Sequence, residues 1–377
     1  MRIIQDADIK NKKVLVRIDT DILNDDGQIK NDSRLKVSLP TIKYLLSHQA
    51  TVTLCGHIDR PEGKVIEKLR MKPVEERLVK LIGDHDNWQI LENLRFNGGE
   101  EENSPEFAKK LAEGQEIFIE DAFATCHRAH ASTEGVAKIL PAYAGLSVQK
   151  EIENLEKLIS SKEKPFTVIL GGAKIADKLP VIKNLMSKAD NFLIGGAIAN
   201  TFLAARRHHM GKSKIEIEAF REANIIWQNI MDEPNKNIFL PIDLIISKST
   251  ERPIEVQTIK VKDLLNEDTY PEFAAVDIGP ETIEEFSNKI LQSRRIFWNG
   301  NMGVSEVSEF AGGDKKIAEV ISKSSAQVVI GGGDTVATYE SLNIPSRPNI
   351  FLSTGGGATL EFLAGKQLPG LVALGYK

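Results

Sequence analysis

Lys174 and Lys178 lie four residues apart in VILGGAKIADK, residues 168–178, just after an apolar run that enters Gly171-Gly172. A helix beginning at the glycines would put both ammonium groups on one face and leave its first backbone N–H groups unpaired beyond the strand. That combination suits an anion. A single Gly-Gly turn is as easily explained by tight packing. Here, however, glycines follow apolar runs at 171–172, 195–196, 331–333 and 355–357, and the repetition favours phosphate. Neither GxxxxGK[ST] nor GxGxxG occurs, so neither a P-loop nor a dinucleotide fingerprint accounts for it.

GGGDTVA, residues 331–337, adds Asp334 and Thr335, and two readings stay open. Asp and Thr are good helix N-caps. Alternatively, Asp334 holds a hard cation whose other ligands are polyphosphate oxygens, and Thr335 donates to phosphate.

The first half of the chain ends its apolar runs differently. Asp19 and Asp21 follow VLVRI, and then come Arg34 in NDSRLK, His57 and Arg60 in GHIDRP, Arg95 in ENLRF, and His127 with Arg128 in CHRAH. One arginine alone is ordinarily a surface ion pair. Several directly after apolar runs, in a chain of formal charge -5, point to a focused positive pocket. Guanidinium forks match carboxylate and phosphate oxygens, so the expected ligand is small and multiply anionic. The run Glu100 to Glu102 reads as a solvated turn, and His208-His209 shows no ligand pattern.

Strands must position these groups. Short apolar runs alternate with helical patterns along the chain, the signature of an α/β fold with a wound, mostly parallel sheet. The first half offers KKVLVRID (12–19), ATVTLCGH (50–57), WQILENLR (88–95) and EIFIEDAF (116–123). The second offers FTVILGG (166–172), NFLIGG (191–196), NIFLPIDLIIS (237–247), RIFWNG (295–300), QVVIGGG (327–333) and NIFLSTGGG (349–357). Between them, residues 147–165 carry Ile152, Leu155, Leu158 and Ile159 at helical spacing and read as a bridging helix. Open α/β sheets bind ligands beyond the carboxyl ends of their strands. One rim is then backbone, the other guanidinium and imidazole.

The chain has 377 residues, beyond the roughly 250–300 at which a single core stops growing, so two domains are expected. Hydrophobic residues at 41% and charged residues at 27% describe a soluble globular protein, and the acidic balance argues against a nucleic-acid surface. Cys55 and Cys126 form no CxxC or ligand spacing, which argues against disulfide frameworks and structural zinc. FLIGGAIANTFLAA, 192–205, is shorter than the roughly 20 apolar residues of a membrane span. The start, MRIIQDADIKNKKV, lacks an apolar stretch of signal-peptide length, so a cytoplasmic protein is expected.

Taken in order, VLVRID, DSRLKVSLPTIKYLL, GHIDRPEGK, LENLRFNGGEEEN, DAFATCHRAHAS, GGAKIADK, LIGGAIANTFL, DIGPET, WNGNMGV, GGGDTVAT and STGGGATLEFLAGKQLPG resemble the phosphoglycerate kinase family along essentially the whole chain. The resemblance implies two Rossmann-like parallel-sheet domains separated by a cleft and joined by a helix. Residues 1–147 would bind 3-phosphoglycerate, 148–165 would form the interdomain helix, and 166–359 would bind nucleotide. The tail, about 360–377, would return to the first domain.

The resemblance also implies reversible in-line phosphoryl transfer, on hinge closure, between 1,3-bisphosphoglycerate and ADP. The products are 3-phosphoglycerate and ATP, with Mg2+ carried by the nucleotide; a monomer is expected. By matching positions, Asp19, Asp21, Arg34, His57, Arg60, Arg95 and Arg128 correspond to the acid site. Gly172, Lys174, Lys178, Gly196, Gly279, Asn299, Glu306, Gly332, Gly333, Asp334 and Thr335 correspond to the nucleotide site. Arg34 and Lys174 would be catalytic, Lys174 on the moving phosphoryl group, Glu306 on the ribose and Asp334 on the metal.

Departures from the family pattern gather in the acid half. Asp21 stands where the family has a substrate-binding Asn, and a carboxylate kept in contact with an anion would repel it by roughly 1–4 kcal/mol. Either Asp21 turns away or affinity falls. Asp59 adds another acid, Ala124, Cys126 and Asn301 also differ, and the short stretch from Gly83 to Trp88 implies a trimmed N-terminal sheet. The alternatives are a phosphotransferase of the same fold acting on another phosphorylated acid, and a non-catalytic nucleotide-binding protein.

Overall fold

The computed structural model describes residues 1–377 except 84, 267, 268 and 346. It divides into two compact units, Met1–Glu153 with Lys366–Lys377, and Asn154–Gly365.

In the first unit five strands, β1 (Lys13–Arg17), β2 (Thr51–Cys55), β3 (Trp88–Ile90), β4 (Ile117–Glu120) and β5 (Ala142–Ala144), lie in the order β3-β2-β1-β4-β5, all parallel. Strands covered on both faces need apolar residues throughout, and Val14, Leu15 and Val16 are wholly buried. Helices α1 (Ser33–Ser47), α2 (Lys72–Ile82) and α3 (Pro105–Ala112) lie between the strands in sequence. The order reverses between β1 and β4, so the crevice for a ligand opens where those two strands end. The link from α2 to β3 takes only residues 83–87, of which 84 lies outside the described residues. Helix α4 (Leu146–Ser160) carries the chain across the unit boundary. The C-terminal helix Pro369–Ala373 belongs to the first unit, with the Gly370 amide donating to the Cys126 carbonyl at 2.9 Å.

The second unit repeats the scheme. Strands β6 (Phe166–Leu170), β7 (Asn191–Ile194), β8 (Asn237–Phe239), β9 (Asp243–Ser247), β10 (Gln257–Lys260), β11 (Ala274–Ile278), β12 (Arg295–Asn299), β13 (Gln327–Gly331) and β14 (Ile350–Leu352) form two sheets. The larger has the order β14-β13-β12-β6-β7-β8, all parallel, and reverses between β6 and β12. The smaller, β10-β9-β11, is antiparallel. Helices α5 (Leu179–Leu185), α6 (Gly196–Ala205), α7 (Phe220–Met231), α8 (Pro280–Gln292), α9 (Gly312–Lys323), α10 (Gly333–Ser341) and α11 (Gly357–Leu363) complete it.

Three local expectations are corrected. NIFLPIDLIIS is two strands in different sheets, because Pro241 cannot donate within a ladder and the chain turns there. Gly355–Gly357 do not abut their strand, since Ser353 and Thr354 intervene. No helix begins at Gly171-Gly172: residues 171–178 form turns, and α5 starts at Leu179 with Pro180 in its first turn. Cys55 and Cys126 are free and buried. No described helix is long and apolar enough to cross a membrane.

Candidate active site

At the β1/β4 switch point the first unit gathers charge. Asp19, two residues past β1, is buried, and its Oδ2 faces Arg34 Nη1 at 3.4 Å without a hydrogen bond. Burial raises the Asp19 pKa and outweighs the opposing pull of Arg34. Arg34, on the first turn of α1, also donates to the Asp21 carbonyl at 3.2 Å. The Asp21 carboxylate turns to the neighbouring loop, where its Oδ1 accepts the Asp59 amide at 2.9 Å. Arg60 is exposed at the end of that loop.

His57 is buried, with Nδ1 at 2.7 Å from Arg17 Nη2. Its pKa lies well below 6.5, through burial first and then the positive charges of Arg17, Arg95 and Arg128. The ring is therefore neutral. Because a guanidinium only donates, Nδ1 must accept, and the proton is assigned to Nε2 as a free donor. Arg95 is also buried; Nη1 donates to the Asp59 carbonyl at 2.6 Å and Nε faces Glu101 at 3.2 Å, while Nη2 has no hydrogen-bond partner. Burial lowers its pKa from the ordinary arginine value yet leaves a guanidinium charged and ready for an anion. Arg128 is half-buried beside His127, with Nε 3.3 Å from the His127 ring.

Sequence reasoning missed the support behind this rim. Arg17, wholly buried at the end of β1, donates from Nε to Ser132 Oγ at 3.0 Å. Ser132 donates in turn to Glu100 at 2.6 Å. Glu100 is thus no solvated turn but a wholly buried carboxylate, because Ser132 and its amide supply the hydrogen bonds that water would have given. His130 lies 3.8 Å from Glu100, yet burial and the arginines depress its pKa to about 3 and keep it neutral.

In the second unit a cavity of about 830 Å³ opens at the β6/β12 switch point. It is lined by Gly172, Lys174, Lys178, Gly196, Asn299, Glu306, Gly332, Gly333, Asp334 and Thr335. Gly279 is not on the wall; it precedes α8, its amide bonded to the Asp243 carbonyl at 2.9 Å. The loops after β6 and β12 cross with no room for side chains, since the Gly172 amide donates to the Asn301 carbonyl at 2.7 Å. Gly300 has φ +93°, and a Cβ there would overlap the Gly171 carbonyl.

Lys174 is exposed to the cavity, whereas Lys178 is half-buried and donates to Asn299 Oδ1. Burial lowers the Lys178 pKa to about 8, against the carboxylates of Asp177 and Asp334. The N-cap of α10 is Gly332, with φ +94°, rather than Asp334 or Thr335. Thr335 Oγ1 accepts the Gly300 amide at 2.7 Å, and the Asp334 carboxylate is exposed to the cavity. Among the described residues no three His, Cys, Asp or Glu side chains gather into a metal site. A lone carboxylate beside a phosphate-sized cradle fits a divalent cation whose other ligands are phosphate oxygens and water.

The chain has recognisable relatives along nearly its whole length. The family model described as phosphoglycerate kinase matches residues 4–366. A phosphoglycerate kinase of Dictyoglomus turgidum is 43% identical over 393 residues, covering 98% of this chain and 97% of its own. One of Pelotomaculum thermopropionicum is 41% identical over 393 residues, covering 98% of each. Among solved structures, phosphoglycerate kinase from Coxiella burnetii superposes with a TM-score of 0.86 at 34% identity, covering 99% of this chain and 98% of that one. With two switch-point sites of complementary chemistry and a match along nearly its whole length, the chain belongs to the phosphoglycerate kinase family.

Proposed function

We propose a division of labour for this member of the phosphoglycerate kinase family, in which the first unit grips 3-phosphoglycerate and the second grips the adenine nucleotide. Asp19, Asp21, Arg34, His57, Arg60, Arg95 and Arg128 form the acid site. The observation that carries the reading is that the buried arginine-histidine rim and the glycine rim each lie at the switch point of a sheet with the same strand order.

In the direction of acid phosphorylation, a carboxylate oxygen of 3-phosphoglycerate bonds to the γ-phosphorus of ATP as the bond to the β,γ-bridging oxygen breaks. The acyl phosphate forms and ADP leaves. The attacking carboxylate is already ionised, so no side chain need take a proton. The protein's task is positioning and charge neutralisation. Arg95 and Arg128 fork onto the acid's oxygens, and His57 donates Nε2–H to it. Arg34 and Lys174 neutralise the group in flight, and Lys178 holds nucleotide phosphate. Gly172, Gly196, Gly332 and Gly333 bring backbone to the phosphates, Thr335 and Asn299 fix the loops that carry them, and Glu306 takes the ribose. Asp334 would hold Mg2+ on the nucleotide, where the ion supplies charge neutralisation. Gly279 acts only by starting α8. We place this work in the cytoplasm, with the monomer as the working unit.

A coupled assay with 3-phosphoglycerate and magnesium ATP tests the reading. Turnover should fall by about 100- to 1,000-fold in Lys174→Ala, the usual loss of a transition-state charge partner. Parent turnover no higher than that of Lys174→Ala would remove the reading.

A further inference from the structure

The segment between β12 and α9 carries Glu306 into the cavity, and both of its ends are held by buried carboxylates that the phosphoryl transfer itself does not use. At its start, Asp314 Oδ1 accepts the Met302 amide at 2.8 Å, and the Gly303 amide beside it favours the charged carboxylate. At its end, Asp277 Oδ2 accepts the Gly313 amide at 2.7 Å, and the Gly312 amide beside it favours the charged carboxylate. Asp277 Oδ1 takes the amide of Ile278 at 2.8 Å. The two acids meet at Gly303: its amide lies beside Asp314, while a Cβ on it would come within 2.7 Å of Asp277 Oδ1. Asp314 is fully buried and Asp277 nearly so.

Burying a carboxylate is costly unless amides replace its water. Here burial raises both pKa values to about 7, a penalty the fold accepts at two places on one loop. An apolar pair would close the loop without that cost. What carboxylates add is direction: each fixes successive amides, and so the loop's path over the cavity.

We infer that Asp277 and Asp314 are positioning residues of the nucleotide site, acting through the 302–311 segment and the start of α9 to hold Glu306 and the neighbouring Val304 and Ser305 against the nucleotide's sugar. This rests on the assignment of Glu306 to the ribose. The two carboxylates are not equivalent. Asp277 uses both oxygens, whereas Asp314 Oδ2 has no hydrogen-bond partner.

Steady-state kinetics of five variants test this, with ADP and the acid substrate varied separately and folding checked by circular dichroism. Asp314→Ala and Asp277→Ala should each raise KM for ADP about tenfold, the loss expected from unpaired buried amides, with KM for the acid within about twofold of the parent. Asp314→Asn should recover most of the loss, because one amide oxygen can serve the same donors. Asp277→Asn should recover less, because one of its two acceptors becomes a donor. Unchanged KM for ADP in the alanine variants, or equal rises in both KM values, overturns the inference. If the alanine variants do not fold, the two asparagine variants decide, and equal KM values for ADP overturn it. Glu306→Ala separates the underlying assignment: if it leaves KM for ADP unchanged while the aspartate variants raise it, the ribose role falls and the loop's positioning role stands.

Discussion

The two switch points solve the same problem with opposite materials. Each lies where a parallel sheet reverses its strand order, between β1 and β4 in one unit and between β6 and β12 in the other. The first builds its rim from side chains with buried supports: Arg17 behind His57, Glu100 and Ser132 behind Arg17. The second builds its rim from glycines whose amides and carbonyls meet directly. The difference fits the ligands proposed for each rim. A small acid presents a carboxylate and a phosphate whose paired oxygens forked guanidinium groups can match. A flexible polyphosphate is better served by a rim without side chains, where crossed glycine loops let backbone approach closely.

The largest effect is expected from removing a buried support. Arg17→Met leaves Ser132 and His57 without their partner and Glu120, which shares its low-dielectric surroundings, without the charge that opposes its burial. Stripping one partner from a buried charge network costs about 3–5 kcal/mol. Chemical denaturation should show that loss together with weakened binding of the acid. A loss below about 1 kcal/mol would mean that the first rim does not depend on its interior charges.

The mirror experiment is Gly300→Ala. At φ +93°, with the Gly171 carbonyl in the way, a side chain forces the crossed loops apart at a cost of about 2–3 kcal/mol. Calorimetry should find ADP binding weakened and 3-phosphoglycerate binding retained. Equal damage to both ligands would abolish the contrast between the rims.

These two positions also mark what was legible in the sequence. Glycine punctuation after apolar runs announced the second rim, because a backbone site is written in local sequence. The rim arginines were visible for the same reason, as charges where strands end. Arg17 was not, since a lone arginine closing an apolar strand gives no sign of which side it faces. Glu100 was misread because its partner Ser132 lies 32 residues away. Asp277 and Asp314 are separated by 37 residues, and nothing local joins them. The helix expected after Gly171-Gly172 failed because Pro180 suits a first helical turn and delays the start of α5. Long-range supports decide geometry, and local pattern does not contain them.

A smaller effect separates the two rims by pH. Lys178 has a folded pKa of about 8, below its ordinary 10.5, because burial disfavours the ammonium. Phosphate favours that ammonium, so nucleotide affinity is complete below pH 8 and declines as pH rises through it. One unit above, at about pH 9, KM for ADP should be up to about tenfold higher. The stability contribution runs the other way: between about 8 and 10.5 the unfolded chain binds more protons, so stability rises with pH there. Lys178→Met should abolish the alkaline limb in KM for ADP. If the limb persists in that variant, another group carries it.

The finest test concerns Asp21, whose carboxylate was expected either to turn away from the acid or to weaken its binding. It is neither idle nor directed at an arginine: Oδ1 accepts the Asp59 amide at 2.9 Å and so anchors the loop that carries His57 and Arg60. It also contributes to the raised pKa of Asp19. An asparagine keeps the acceptor for Asp59 while removing the charge. Asp21→Asn should therefore lower KM for 3-phosphoglycerate about three- to fivefold, the size of one screened repulsion of about 1 kcal/mol, without changing KM for ADP. Asp21→Ala loses the anchor as well, and its KM for the acid should rise instead. The opposite signs are the point of the pair. Two rises would show that the charge itself serves the acid site, and two falls would show that the Asp59 anchor contributes nothing to it.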